Sequence, residues 1–426
     1  MSMTSNRVAN KSSGSRTKDL LERFQTVRQF SNFLCEPLSP EDCTVQSMTE
    51  ASPTKWQLAH TSWFFETFIL EVVQPDFRPF HPQFRTLFNS YYNTVGDQHP
   101  RPGRGFLTRP TLETVLEYRA HIDRAIENLF RNDRLDASSL EVLELGIQHE
   151  QQHQELILTD LKHLFFMNPL RPVYREAQKL GSGDATPLDW ISFEEGLYKI
   201  GHHEDGFAFD NEGPLHKVFL PSFKIANRPV LVREYLEFIR DGGYQTPELW
   251  LADGWAAVQN EGWEKPLYWL SDDEEVRAFT FGGERTLSLN EPMCHVSYYE
   301  ADAFATWAGC RLPTEQEWEV AAQGESKEGN FVENQIFHPS PMISGQTKFF
   351  GDVWEWTRSP YMPYPGFKPA QGALGEYNGK FMCNQIVLRG GSCATSESHI
   401  RSTYRNFFFP NARWQFSGIR LAKDNL

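Results

Sequence analysis

His149-Glu150-Gln151-Gln152-His153 sets two imidazoles four residues apart. On a helix they lie one turn above each other, so both rings reach a single point beside it. Val142, Leu145, His149, His153 and Leu156 fall at helical spacing, which carries an apolar stripe through the pair and turns it inward. Two inward neutral imidazoles need two partners, and one metal ion supplies both. His60 stands among Trp56, Trp63, Phe64 and Phe68. Taken alone it reads equally well as a core histidine bonded to a carbonyl; taken with the pair it is the best third ligand, because a bundle brings inward side chains of different helices to one place.

The same five residues spell H-E-x-x-H, in which Glu150 would be the general base of a zinc peptidase. The form with a third histidine requires Gly at 156 and His at 159, where Leu156 and Thr159 stand, and the acidic alternative, Glu176, lies beyond Pro169 and Pro172. The motif alone leaves the peptidase open, as it leaves open a non-enzymatic protein whose histidines fill a core. Arg101 and Arg104, three apart in a Gly/Pro loop, are candidates for an anion site or for solvated surface charge. Tyr91 and Tyr92 stand in tandem in the same loop, where such pairs more often pack than catalyse.

These residues need elements to position them. The segment from Ala137 to Phe166 lacks Pro, is rich in Leu, Glu and Gln, and follows a cap at Asp136 or Ser138. Leu20, Leu21, Phe24, Val27 and Phe30 predict a helix over 17–34; Pro53 opens a second, apolar over most of its circumference and ending before Pro75; a third covers 112–130. Four helices with an irregular, aromatic-rich crossover from Pro75 to Pro110 predict an antiparallel bundle. Residues 1–16 are polar and expected to be disordered, 17–168 form the bundle, and 169–189, with three Pro and two Gly, read as a linker. Residues 190–426 change to short strands, turns and aromatics, an irregular α+β domain. Strands are expected at 196–201 and 216–221, helices at 231–240, at 300–307 and after a Thr314 cap, and further elements at 351–357 and 387–392.

A chain of 426 residues holds two or three domains. Its net charge of −15, from 41 Lys and Arg against 56 Asp and Glu, argues against nucleic acid or an anionic membrane as main partner. Six cysteines without a CxxC pair suit a reducing compartment. No secretory apolar run precedes Leu20 and no stretch has the length of a membrane span, so a cytoplasmic location with small-molecule or protein partners is expected. Oligomeric state is not legible.

Arg311-Leu-Pro-Thr-Glu-Gln-Glu-Trp-Glu319, Gly351-Asp-Val-Trp-Glu-Trp-Thr357, Arg389-Gly-Gly-Ser392 and Ser417-Gly-Ile-Arg-Leu421 together resemble the formylglycine-generating-enzyme or sulfatase-modifying domain, a C-type-lectin-like fold. Ala59-His60-Thr61, Asn89-Ser-Tyr-Tyr92 and His149 to His153 resemble a DinB-like four-helix bundle. In this order the two halves are similar to the ergothioneine-synthesis sulfoxide synthases of the EgtB type, over nearly the whole chain beyond residue 20. The resemblance implies a mononuclear non-haem Fe(II) enzyme that uses O2 to join a cysteine-type thiol to the imidazole of hercynine (N-α-trimethylhistidine), giving a sulfoxide. It implies iron ligands at His60, His149 and His153, an imidazole contact at Gln152, thiol-substrate contacts at Arg101 and Arg104, and a proton donor at Tyr91 or Tyr92. Asn406, Trp414, Gln415 and Phe416, with Arg420 of the last motif, are its candidate pocket residues. A formylglycine-generating activity is not expected, because that needs a close cysteine pair and only Cys393 follows Arg389-Gly-Gly-Ser392. Relatives that use γ-glutamylcysteine carry an acidic residue four before the terminal arginine; Phe416 stands there, which favours free cysteine over γ-glutamylcysteine. Ovothiol-type relatives carry an appended methyltransferase, which is not expected here.

Overall fold

The structure is a computed structural model describing residues 5–425 except 179, 182–184, 204, 272–274 and 343–347, with the side chains of 5–15 also outside the described set. Contacts divide the chain into residues 1–164 with 372–374, and residues 165–371 with 375–426.

In the first unit α1 (Ser5–Cys35) starts ahead of the expected residue 17, because the polar stretch before it contains no Pro and lacks only an apolar stripe. Of the segment expected to be disordered, residues 1–4 lie outside the described residues. All twelve residues of α2 (Thr54–Phe65) are buried, the polar Thr54, Lys55, Gln57, His60, Thr61 and Ser62 together with the apolar ones. It continues through a π-helical turn, Glu66–Leu70, into Glu71–Val73; such turns are frequent at functional sites. α3 (Leu112–Arg131) is capped by Thr111, whose Oγ1 accepts the Thr114 N–H, and buries Val115, Tyr118, Ile122, Ile126 and Leu129. α4 (Ala137–Met167) is capped by Asp136, which accepts the Ser139 N–H at 2.8 Å.

The expected stripe on α4 requires correction. Val142, Leu145 and Leu156 are half-buried, whereas Leu143, Ile147, Leu158 and Leu161 are buried. Periodicity misplaced the face because Glu150, Gln151 and Gln154 count as polar yet are buried as well. Paired polar groups can enter a core. Gly146 sets how closely α4 approaches α2: a Cβ there would stand 2.5 Å from a Phe65 ring carbon and 3.0 Å from Phe64. That contact lies one turn before His149.

The second unit holds a three-stranded antiparallel sheet formed by Trp190–Phe193, Phe223–Ala226 and Ala422–Asp424. A four-stranded sheet runs in the order Ser417–Ile419, Trp354–Pro360, Ile386–Arg389 and Asn406–Phe408, its first pair parallel and the rest antiparallel. Hairpins join Gly196–Ile200 to His216–Leu220 and Arg277–Thr280 to Gly283–Thr286. The expected helices stand at Val232–Arg240, Tyr298–Trp307 and Glu315–Ala322, the last capped by Thr314. Helix Ala252–Glu261 and the second hairpin were not anticipated from the sequence. The segment read as a linker is packed at Tyr174, which is buried and donates its N–H to the Phe281 carbonyl. No described helix is long and apolar enough to cross a membrane.

Candidate metal centre

His60, His149 and His153 come together, each offering one ring nitrogen within 4.8 Å of the others. Their ring centroids stand 5.0 Å (His60 to His149), 4.7 Å (His60 to His153) and 4.6 Å (His149 to His153) apart. α2 delivers the first, and the one-turn spacing on α4 delivers the other two. Trp56 and Trp63 sandwich His60 at 4.7 and 5.5 Å, nearly parallel, and Phe64 lies 4.8 Å from His149. His60 and His149 are buried and His153 keeps partial exposure.

Hydrogen bonds orient two of the rings. His60 Nδ1 lies 2.6 Å from the Phe88 carbonyl, and His153 Nδ1 lies 2.9 Å from Gln57 Oε1. Both oxygens only accept, so both rings carry their proton on Nδ1 and turn a bare Nε2 inward. His60 Nε2 and both nitrogens of His149 are buried without a hydrogen-bond partner. Burial holds the His149 imidazole down to about 4, and holds His60 and His153 well below the ordinary histidine range, helped by their neighbours and by Arg104 and Arg101. Three neutral imidazoles converging on one point, two of them with buried unpartnered nitrogens, suit a metal ion, which supplies the missing partners. The donor set fits.

Glu150 faces elsewhere. Its carboxylate accepts Ser31 Oγ at 2.6 Å, Arg119 Nη2 at 2.8 Å and Arg28 Nη1 at 2.9 Å. Burial alone would raise it, but the two guanidiniums hold it down to about 2. Arg28 reaches on to Asp123 and Ser62, and Arg119 to Thr61 and the Leu58 carbonyl. The glutamate thus ties α4 to α1, α2 and α3. A peptidase base must meet a metal-bound water with its carboxylate, and this one is bound on both oxygens by cations. The peptidase reading fails on that geometry.

The crossover loop brings its candidates to the same unit. Asn89, fully buried, accepts the Tyr92 N–H at 3.0 Å and returns a bond to the Tyr92 carbonyl at 3.0 Å, folding the loop at the tandem tyrosines. Tyr92 is buried 5.6 Å from Trp63 and 5.2 Å from Phe68, with Tyr91 4.9 Å from it. Arg104 is buried face-on to Trp56, 3.3 Å from its ring centroid, and donates to Ser52 Oγ at 2.8 Å. Burial, with Arg101 nearby, brings its guanidinium down to about 9. Its Nε has no partner, whereas Arg101 is exposed. Gln152 is half-buried on α4.

The remaining candidates lie in the second unit. Arg420 is fully buried with both Glu355 oxygens on its guanidinium, at 2.6 and 2.7 Å, and a further bond to the Ala226 carbonyl, so it is built into the core of its sheet. Phe416 is fully buried 4.8 Å from His295. Trp414 Nε1 and Gln415 Nε2 are buried donors with no acceptor, and Asn406 is half-buried, its Oδ1 accepting the Phe407 N–H. Sequence reasoning missed Gln57, the Phe88 carbonyl and the Arg28 and Arg119 pair. A Gly inside a helix at 146 was the available signal of close helix approach.

Residues 180–344 and 335–425 match the sulfatase-modifying factor enzyme 1-like domain, and residues 23–157 match the DinB superfamily. A hercynine oxygenase of Mycolicibacterium thermoresistibile is 32% identical over 413 residues, covering 88% of this chain and 87% of its own. One of Mycobacterium tuberculosis is 31% identical over 401 residues, covering 88% and 91%. Ergothioneine biosynthesis protein 1 of Schizosaccharomyces pombe is 28% identical over 230 residues, 51% of this chain and 28% of its own. A helical DinB-type unit followed by an α+β sulfatase-modifying-type unit, with this similarity, defines an oxygenase, an oxidoreductase. The chain belongs to the hercynine oxygenase family, the EgtB type expected from its motifs.

Proposed function

We propose that this chain is a sulfoxide synthase of ergothioneine biosynthesis. It uses O2 to couple a cysteine-type thiol to the imidazole of hercynine, with oxygenation at sulfur, at a ferrous ion held by His60, His149 and His153. The observation that carries this reading is the convergence of three imidazoles on one point, with His60 Nε2 and both His149 nitrogens buried and without a protein partner. His60, His149 and His153 would hold the iron, and iron bound there would supply the redox chemistry and acidify the thiol.

The chain's own residues do the rest. Arg104, its Nε unpartnered, and Arg101 bind the carboxylate of the thiol substrate. Gln152 hydrogen-bonds the hercynine imidazole, so two reactants are held as neighbours without further loss of freedom. The Oη of Tyr91 or Tyr92 delivers a proton to the oxygen being reduced and steers the reaction toward C–S coupling. Trp414 Nε1 and Gln415 Nε2, donors in need of an acceptor, and Asn406 serve the substrate pocket. Arg420, paired with Glu355, supports its strand. Phe416 offers no carboxylate to the ammonium of a glutamyl group, which favours free cysteine as the thiol donor.

The test is anaerobic loading with Fe(II), then O2 with trimethylhistidine and either cysteine or γ-glutamylcysteine, products read by mass. A sulfoxide formed faster from cysteine is expected, and absence of iron-dependent O2 uptake with both thiols would sink the reading. Tyr91→Phe and Tyr92→Phe are expected to divert product toward cysteine sulfinate; an unchanged product ratio in both variants would discard the proton-donor role.

A further inference from the structure

We propose that Gln57 is a positioning residue which, through Asp160 and Ser52, sets the tautomer of His153 and ties that ring to Arg104. The proposal rests on the reading of His153 as a metal ligand. Gln57 lies one turn before His60 on α2 and is buried. Its amide bridges two groups: Oε1 is 2.9 Å from His153 Nδ1, and Nε2 is 3.0 Å from Asp160 Oδ2.

Which way the amide points follows from its neighbours. Asp160 Oδ2 also receives the backbone N–H of Ser52 at 2.9 Å, so it acts as an acceptor, and the Gln57 group facing it must be the NH2. The amide carbonyl then faces His153. A carbonyl cannot donate, so the imidazole proton sits on Nδ1 and the lone pair on Nε2. Without this bond the ring could carry its proton on either nitrogen and turn about its χ2, and a protonated nitrogen cannot bind a cation.

The chain of bonds does not stop at the carboxylate. Ser52, whose N–H meets Asp160, accepts Arg104 Nη1 on its Oγ at 2.8 Å. One hydrogen-bonded line therefore runs from His153 through Gln57, Asp160 and Ser52 to a buried guanidinium with an unpartnered Nε. Gln57, Ser52 and Arg104 are nearly without exposure, so water does not compete for these bonds. The arrangement makes the ligand and the cation two ends of one structure: a substrate anion that draws on Arg104 does so against a support shared with the metal site.

Partners of this kind change metal affinity or activity by about 10–100-fold when removed. The decisive set is Gln57→Leu, Gln57→Glu, Asp160→Asn and the double variant Gln57→Glu/Asp160→Asn. Gln57→Glu keeps an acceptor for His153 but sets two carboxylates against each other. In the double variant the amide NH2 introduced at 160 donates to the carboxylate introduced at 57 and restores that bond, while the Ser52 N–H loses its acceptor, so the His153 end of the line is repaired and the Arg104 end is not. Full-length protein is titrated with Co(II) against a competing chelator, its ligand-field absorption recorded, and kcat and thiol KM measured after Fe(II) loading. Expected are a loss of Co(II) affinity of about 10–100-fold in Gln57→Leu and Gln57→Glu, a changed Co(II) spectrum, a raised thiol KM, and in the double variant a partial recovery of the affinity with the thiol KM still raised. A Gln57→Leu protein that binds Co(II) as the parent does with the same spectrum overturns the proposal. So does a double variant no better than its worse parent, since a packing role predicts no such rescue. Failure of the parent protein to bind Co(II), or retained binding in His153→Ala, overturns instead the metal-site reading beneath it.

Discussion

Buried charge in the second unit is matched by buried charge. Arg389 pairs with Glu315 at 2.9 Å and Glu319 at 3.0 Å, Arg405 with Glu315 at 2.8 Å, and Arg420 with Glu355 at 2.6 Å, each almost without exposure. The first unit does the same with Glu150, Arg28 and Arg119, and then departs from it one residue earlier on the same helix, where His149 has no bonded nitrogen. Both kinds of group are polar and buried, so burial alone does not separate them. A partner of opposite charge does: ions that answer one another hold the fold, and the convergent imidazoles, which have none, are held ready for something the protein must bind.

The strongest way to break this comparison is His149→Leu. Metal retention and coupling activity are expected to fall by at least about 100-fold, while the metal-free variant unfolds at the same or a higher denaturant concentration, because an unsatisfied buried polar group has been replaced by an apolar one. Metal analysis alongside urea unfolding checks both halves, and retained stoichiometric metal would return His149 to the core. Arg389→Met is the counterpart. Removing the cation leaves Glu315 and Glu319 facing each other with less compensation, and a loss of about 3–5 kcal/mol is expected in urea unfolding, with metal content of the folded protein unchanged.

Glu150→Gln sharpens the same contrast inside one helix. Its carboxylate is held down to about 2 in the fold by Arg28 and Arg119, below the ordinary value of about 4.3 for the unfolded chain. Its contribution is therefore fully present above that ordinary value and is lost as pH falls toward about 2. The variant is expected to be less stable than the parent at neutral pH, with the gap closing over that acid window in unfolding curves taken across pH. A peptidase base would behave otherwise, losing activity with stability intact. The smallest effect expected is that of Gly146→Ala, about 1–3 kcal/mol, from pressing a methyl group against the Phe65 ring; a variant as stable as the parent would show that α4 is free to move away from α2.

Much of this was readable before any coordinates. The helices of the first unit, the histidine pair and its partner on the aromatic helix all announced themselves through local spacing, and the motifs of the second half pointed to its fold. The mistakes have a common origin. The stripe through Val142, Leu145 and Leu156 left out Glu150, Gln151 and Gln154 because a hydrophobicity pattern weighs each residue alone, whereas burial of the Glu150 carboxylate depends on cations that stand 122 residues away at Arg28 and 31 away at Arg119. Helix Ala252–Glu261 is short and only weakly patterned, with Gly254 and Val258 as its buried positions, so it gave little periodic signal.

The sequence by itself determined that His149 and His153 share one side of a helix, since a turn of 3.6 residues makes neighbours of positions four apart whatever surrounds them. It determined as well that α2, apolar over most of its circumference, would be central to a bundle. Only the tertiary structure decided that His60 meets that pair, that His153 leans on Gln57 across 96 residues, and that the H-E-x-x-H glutamate is locked away by two arginines. Those are bonds between distant segments, whose partners are selected by packing and not by any period along the chain.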